Sequence, residues 1–468
     1  MCKSEASEQM YEELLKKLEK KVKYADIRKQ RYKISDLVMK NGVVSGVGYT
    51  EEEGIAIRVL NHGIGYVTTN KLDESYLAGL ADKAIKFASS INRGDLKFSE
   101  EPVYNEKWSV EETIKIKDFS NEDKLQYLKD VEAEMTSLKV PMRIQSIRDK
   151  IVETEYINTE GTAISSILPS VSYFCMMGVM ENGNFEQSSI EYGRTGGYEA
   201  WKEWNIIDRV KDEINVLKKV AKSKKIPEGK VDLVAGPEVA GIVAHESGGH
   251  PSESDRIFGR EAAQAGESFI RPDMIGDRVG SDIVNVVDDP TYEHSYGYYK
   301  YDDEGVKARK RYLYKNGKIN EFLTNREYAA RLGTNSNAAA RSSWWDQEPI
   351  VRMSTTYIEP GEQSVEELIE DIKYGVYMNS FTEWNIDDIR FNEKYIGREA
   401  YLIENGEIKE TIKRPVLEIT TTGFYGAIDA ISKDFKLFAG TCGKGDPMQG
   451  VDVLMGGPHL RLRDVYLR

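Results

Sequence analysis

Cysteine, histidine and proline are scarce in this sequence: 468 residues contain three Cys, five His and 13 Pro. Three widely spaced cysteines (Cys2, Cys175, Cys442) cannot form a disulfide framework and suit a reducing compartment. Excess positive charge is missing too, with 64 basic against 78 acidic side chains and a net charge of −14. A nucleic-acid partner therefore has no electrostatic support. No membrane-spanning run stands out either. The most apolar long stretch, Ile164 to Met180, holds four Ser and a Pro, and its β-branched content suits a buried strand. The opening segment, from Met1 to Lys21, is charged and lacks the apolar core of a signal peptide, so the expected location is the cytoplasm.

What is present is ordinary globular material: 40% hydrophobic and 30% charged residues. The chain is longer than one hydrophobic core usually grows, so two domains are expected. Met10, Leu14, Leu15 and Leu18 fall at helical spacing. From Ala25 to Thr69, alternating runs are broken by Asn41-Gly42 and Asn61-His62-Gly63, which read as hairpin turns. Helical patterns return at Lys71 to Ser89, Glu122 to Leu138 and about 206 to 222, with strand patterns at 142 to 157 and 162 to 194. Lys222 to Lys230 is polar, with a Pro and a Gly, and is the best linker in the chain. The expected division is thus an N-terminal α+β domain, 1–222, with a mixed or antiparallel sheet and helices, and a mostly β C-terminal domain, 223–468. The second half opens with a strand at Val231 to Val234 and a helix from Val239 to Ser247. A later helix, Ser364 to Tyr374, is capped by Ser364 with Glu367 three residues on.

Two of the five histidines fall within His245-Glu246-Ser247-Gly248-Gly249-His250. Neutral imidazole is a good zinc ligand, and a carboxylate beside the first ligand is where a metallopeptidase keeps its general base. The H-E-x-x-H pattern fails, because position 249 is Gly. Residues five apart on an ideal α-helix point roughly 140° away from each other, so a regular helix could not chelate. Either a π-type turn closes i to i+5, or the helix ends and loosens at Gly248-Gly249. Pro251 favours the second by pushing His250 out of the helical region. The bland alternative packs His245, leaves His250 in a turn and solvates Glu246.

A catalytic zinc site wants three protein ligands and an open position. Cys442, in the turn-rich Gly440-Thr-Cys-Gly-Lys-Gly445, is the best third ligand, against the usual fate of a free Cys as a small buried hydrophobe. Cys175, in Tyr173-Phe-Cys-Met-Met177, reads as core packing, and Cys2 as frayed. His62, His294 and His459 read as structural or exposed. Gly440 to Gly445 lacks the spacing of a phosphate-binding P-loop, and Gly46-Val-Gly48 and Gly63-Ile-Gly65 lack the third glycine of a dinucleotide fingerprint.

With these residues in view, the sequence resembles the TldD/PmbA (TldD/TldE) metallopeptidases. The resemblance rests on Gly236 to His250, Asp302-Asp-Glu-Gly305, Arg352-Met-Ser-Thr-Thr-Tyr357, Ala400 to Gly406, Cys442-Gly-Lys-Gly445 and Gly456-Gly-Pro458, six blocks in the family's order. It implies that His245, His250 and Cys442 bind zinc and that Glu246 is catalytic. It also implies a dimer, formed with itself or with a metal-free TldE/PmbA-like relative, in which this chain resembles the catalytic subunit. One departure is Phe381-Thr-Glu-Trp-Asn-Ile-Asp-Asp388, where many members have a Gly-rich tract; Trp384 fills space that glycine would leave open. The expected activity is hydrolysis of unfolded or extended peptides by a metal-activated water, with Arg352, Thr355 and Thr356 on a substrate-binding strand edge. The rival expectation is a peptide-binding protein with a structural or absent metal.

Overall fold

Long alternating segments build the first half. The computed structural model describes residues 3–90, 94, 96–262 and 266–468, so Cys2 lies outside the described residues. Helix α1 (Lys3–Glu19) leads into β1 (Tyr24–Lys40), β2 (Val43–Leu60) and β3 (Ile64–Thr69), and the turns fall at Asn41-Gly42 and Asn61 to Gly63 as the sequence suggests. After α2 (Glu74–Ser90) come β4 (Asn105–Ser109), α3 (Asn121–Ser137), β5 (Met142–Asn158), β6 (Ala163–Glu181), β7 (Asn184–Thr195), α4 (Ala200–Trp204) and α5 (Ile206–Val220). The strands form one mixed sheet in the order β3-β2-β1-β5-β6-β4, with β7 also on β6 and β4 parallel to β6.

Each helix buries its apolar stripe on this sheet. Leu14 and Leu18 of α1 and Leu77, Ala81 and Ala84 of α2 pack on Ile27, Ile55, Ile57 and Val59. Leu128, Val131 and Met135 of α3 and Ile214 and Leu217 of α5 form a second core around Ile147, Tyr173 and Cys175. Cys175 is therefore core packing, as its apolar neighbours imply. Helix α3 is fixed at its start by a capping box between Ser120 and Asp123.

The second half is mostly strand, as expected for this α+β chain. Strand β8 (Gly229–Ala235) is followed by α6 (Pro237–Val243). Strands β9 (Val286–Asp288), β10 (Arg311–Lys315) and β11 (Lys318–Ile319) precede the short pair β12 (Ala340–Arg341) and β13 (Ile350–Val351). Next come β14 (Thr355–Ile358), β15 (Tyr374–Met378), β16 (Phe381–Ile386), β17 (Asn392–Gly397), β18 (Ala400–Glu404), β19 (Glu407–Thr411) and β20 (Val416–Thr420). The chain closes with β21 (Ile428–Ile431), β22 (Lys436–Lys444), β23 (Gln449–Gly457) and β24 (Leu460–Leu467). One sheet runs β11-β10-β9-β14-β23-β22; the other runs β16-β17-β20-β24-β8-β15-β18-β19, with β21 on β24. Helix α6 packs on β14, β22 and β23, and its residues share one core with β8 and β15. The approach is close enough that a Cβ on Gly241 would sit 2.6 Å from the Gly456 Cα, so only glycine fits there.

Three expectations are corrected. The capped helix at Ser364 runs only Val365–Ile369, although its Ser364–Glu367 box is formed; the chain must extend again by Tyr374 to pair with β8. Cys442 lies inside strand β22 rather than in a turn. Arg352, Thr355 and Thr356 are not at an edge: Thr355 and Thr356 lie in β14, which is paired on both sides, antiparallel to β9 and parallel to β23, Arg352 lies in the link before it, and all three residues are wholly buried. The Thr pair and β-favouring residues that suggest an edge belong instead to an interior strand whose polar groups find partners inside. The Asp302 to Gly305 block braces the two halves. Asp302 Oδ1 accepts from the Glu304 and Val306 amides at 3.0 and 2.9 Å, and Glu304 pairs with Arg58 of β2 and the Arg326 amide.

Candidate metal centre

The segment after α6 winds more loosely than an α-helix. Ala244–Gly249 is a π-helix, and His250–Ser252 continues as a 3₁₀ turn. Closing i to i+5 turns His245 and His250 toward one another, with ring centroids 5.1 Å apart. Both readings of the motif hold in part, since the helix does change character at Gly249. His250 itself stays helical, at φ −56° and ψ −43°, contrary to the preference set by Pro251. Burial outweighs that preference: its carbonyl accepts from the Glu253 amide at 3.2 Å and its Nδ1 is 2.9 Å from Glu253 Oε2.

Tertiary contacts hold the turn open. The Tyr314 hydroxyl donates to the Ser247 carbonyl at 2.8 Å, Ser252 Oγ donates to the Gly248 carbonyl at 2.7 Å and Ser247 Oγ donates to the Val243 carbonyl at 2.8 Å. The backbone groups released by the wider turn are thereby satisfied. Gly249 packs tightly, since a Cβ there would lie 1.8 Å from Met353 Sδ and the buried methionine side chain would have to move. The glycine that breaks the familiar spacing is thus the residue that lets the turn fit.

Strand β22 brings the third group. Donor atoms of His245, His250 and Cys442 all lie within 4.8 Å of one another, and Cys442 Sγ is 3.5 Å from His250 Nε2. His245 Nδ1 is buried and has no hydrogen-bond partner, which leaves it a donor for a ligand. Two imidazoles and a thiolate are a donor set suited to zinc, and three protein ligands leave a fourth position free. Burial disfavours a thiolate at Cys442, but the charges of His250, His245 and Arg352 overcome it and hold the thiol well below its ordinary pKa. Burial likewise opposes charge on His245, yet Cys442 and then Glu246 and Glu253 leave its pKa raised.

Beneath the ligands lies a buried ionic layer with little signal in the sequence. Glu253 Oε2 is 2.7 Å from Arg256 Nε and 3.2 Å from Lys444 Nζ, and Lys444 is also 2.6 Å from Asp255 Oδ1. Burial would raise the Glu253 pKa, but Lys444, His250 and Arg256 hold it well below the carboxylate range. Glu253 therefore fixes the orientation of the His250 ring. Arg352 donates to the Gln449 carbonyl at 2.7 Å and to the Cys442 carbonyl, so it holds the ligand strand rather than a substrate.

Glu246 is buried beside the imidazoles, with Arg390 Nη1 3.1 Å from its Oε2. Both line a cleft of about 1420 Å³ between the halves of the molecule, together with His245, His250 and Cys442. Strand β22 lines one wall and is an edge strand, β7 lines another and β16 carries Phe381 and Trp384 to the rim. Trp384 is 45% exposed and meets Phe381 edge to face, so the departure from the Gly-rich tract does fill part of the cleft mouth. His62 and His294 are exposed, and His459 is tied to Asp434 and Tyr377 at 2.6 and 2.8 Å, so none of them joins the cluster.

A buried His/His/Cys cluster with a neighbouring glutamate, at the floor of an interdomain cleft, defines a metallopeptidase class of site. The PmbA/TldA metallopeptidase C-terminal domain matches residues 228–467, its domain 1 matches 25–89 and its central domain matches 114–222. The chain belongs to the TldD/PmbA family and is a metallopeptidase. It is 32% identical to a metalloprotease of Methanocaldococcus jannaschii, over 96% of this chain and 98% of that protein. It is 28% identical to a zinc metalloprotease TldD homolog of Saccharolobus solfataricus, over 97% of this chain and 98% of the relative. The fold is shared with TldE from Thermococcus kodakarensis at a TM-score of 0.77 and 17% identity, covering 98% and 99% of the two chains.

Proposed function

We propose that the chain is a zinc peptidase that hydrolyses peptide bonds of unfolded or extended polypeptides, with His245, His250 and Cys442 as ligands and Glu246 as general base. The observation that carries this reading is the convergence of three donor atoms within 4.8 Å beside a buried glutamate at an open cleft. A bound zinc ion would supply a Lewis acid and lower the pKa of a coordinated water toward neutrality. Glu246 accepts the proton of the attacking water and returns it to the leaving amine. Glu253 and Arg352 keep an imidazole and the thiolate strand in register for that chemistry.

Extended substrate is supported by the cleft walls. β22 pairs only with β23 among the described strands, and where its other edge opens into the cleft rather than packing on β7 its main-chain groups would pair with a peptide beside Cys442. Main-chain pairing gives affinity with little demand on side chains, which suits an unfolded polypeptide. The reading includes a cytoplasmic location, in keeping with the free thiols of Cys175 and Cys442, and a dimer with itself or with a metal-free TldE/PmbA-like subunit.

The test is metal content and cleavage of a reduced, unfolded polypeptide by the wild type and by Glu246→Gln. The expected result is one zinc per chain in both proteins, with turnover lowered about 10²- to 10⁴-fold in the variant. Retained zinc with unchanged activity would remove Glu246 from the mechanism. No turnover by zinc-loaded protein, with a partner subunit supplied, would make the chain a peptide-binding module.

A further inference from the structure

The turn that joins β16 to β17 carries the cation nearest the proposed base. Arg390 stands at φ +64°, in the left-handed region that a long side chain seldom enters, and its guanidinium reaches the buried oxygen of Glu246. The turn is held in this shape from several directions. Asp387 Oδ1 accepts from the Phe391 amide at 2.7 Å and Asp387 Oδ2 from Asn392 Nδ2 at 2.6 Å, while the Arg390 amide donates to the Asp387 carbonyl at 3.0 Å. Outside the turn, the Phe269 amide donates to the Ile389 carbonyl at 2.8 Å and Thr421 Oγ1 donates to the Arg390 carbonyl at 2.9 Å.

Such bracing maintains a strained residue only where the surrounding structure over-determines it. The side chain it aims has a spare donor: Arg390 Nε is buried and without a hydrogen-bond partner, although Nη1 is engaged. A buried N–H left unpaired costs about 1–3 kcal/mol, so the guanidinium is held at this place at a cost rather than for its own hydrogen bonding. Arg390 also lines the cleft together with Glu246 and the three donor residues.

Taking the peptidase reading as its basis, we propose that Arg390 is a catalytic residue that stabilises the oxyanion of the tetrahedral intermediate. Oxygen of the attacking water bonds to the carbonyl carbon as its proton passes to Glu246, and the C=O π pair moves onto the carbonyl oxygen. That oxygen becomes negative within reach of the guanidinium, which keeps all its protons and donates N–H bonds to it. Collapse restores the C=O, breaks the C–N bond and sends the proton from Glu246 to the amine. In the resting protein the guanidinium pairs with Glu246 at 3.1 Å; as Glu246 takes the water's proton and becomes neutral, the negative charge passes to the carbonyl oxygen, so the guanidinium gains this new partner only in the tetrahedral state, which is the condition for raising kcat rather than tightening ground-state binding.

The experiment compares wild type, Arg390→Ala and Arg390→Lys, each checked for zinc content. It measures kcat and KM on one unfolded substrate, and calorimetric affinity for a phosphinic peptide against the amide peptide of the same sequence. The phosphinate carries a tetrahedral anionic centre; the amide does not. The expected result is a kcat lowered about 10²- to 10³-fold in R390A, a parallel loss of phosphinate affinity and amide affinity within about threefold of wild type. R390K should recover part of both losses, and added guanidinium ion should restore part of the R390A turnover. The proposal is overturned by phosphinate affinity and kcat that stay within about threefold of wild type, or by amide affinity and zinc content that fall together with them. If the wild type cleaves nothing, the peptidase reading fails, and equal phosphinate binding by wild type and R390A fails this proposal separately.

Discussion

Two buried glutamates flank the His245–His250 turn, and their surroundings drive them in opposite directions. Glu253, on the Cys442 side, is ringed by Lys444, Arg256 and His250 and is held well below the ordinary carboxylate range despite complete burial. Glu393, on the other side, meets Tyr395 at 2.7 Å and Thr421 at 2.6 Å, with Ser247 also bonding to it and Glu246 as its nearest charge. Burial, weakly opposed by those hydroxyls and assisted by Glu246, pushes its pKa up to about 7. Burial is common to both; the presence of cations decides ionisation. The turn thus rests on an anion at one side and, below about pH 7, on a carboxyl that is mostly protonated at the other.

The largest expected effect comes from removing the cation that maintains this contrast. Lys444→Met would leave Asp255 without its ammonium partner and Glu253 with one fewer, at a cost of about 3–5 kcal/mol in denaturant unfolding. A loss under about 1 kcal/mol would mean that Lys444 does not maintain the difference. The intermediate effect is pH-dependent. A carboxyl whose folded pKa is raised adds stability below its unfolded value, and that stability is lost as pH rises through the folded value. For Glu393 the window runs from 4.5 to about 7. The wild type should lose on the order of 3 kcal/mol across it relative to Glu393→Gln, whose side chain cannot ionise. A flat difference between their stability curves would show that Glu393 titrates normally. The smallest effect, about 1 kcal/mol, is expected for Tyr395→Phe, which deletes one donor to Glu393. It should also move the Glu393 titration upward, observable as a shift of the same window.

The two flanks differ in how legible they are. His245, Glu246 and His250 are close in sequence, so their chemistry could be proposed from spacing, and the failure of the H-E-x-x-H pattern itself pointed to a non-α turn. Cys442 could be proposed only as a thiol in search of a role, 192 positions from His250. Arg352, Thr355 and Thr356 read as an edge because a Thr pair with β-favouring neighbours looks the same in a strand with one neighbour and in a strand with two. Glu253, Lys444 and Arg390 carried no signal: a single charged residue in a sequence gives no indication of whether it will be buried or whom it will meet. The long alternating runs and helical stripes of the first half, by contrast, matched their elements closely.

By itself the sequence determined the α+β class, most strands and helices of the first half and the residue types able to hold a metal. Periodicity and donor chemistry are local properties that a chain carries into any fold. Only the tertiary structure decided that β22 would bring a thiolate to the two imidazoles, that β14 would be interior and that Lys444 would lie beneath the turn. Those outcomes depend on which strands pair and how tightly the helix packs on them, as at Gly241 and Gly249, and no stretch of sequence specifies its distant neighbour on its own.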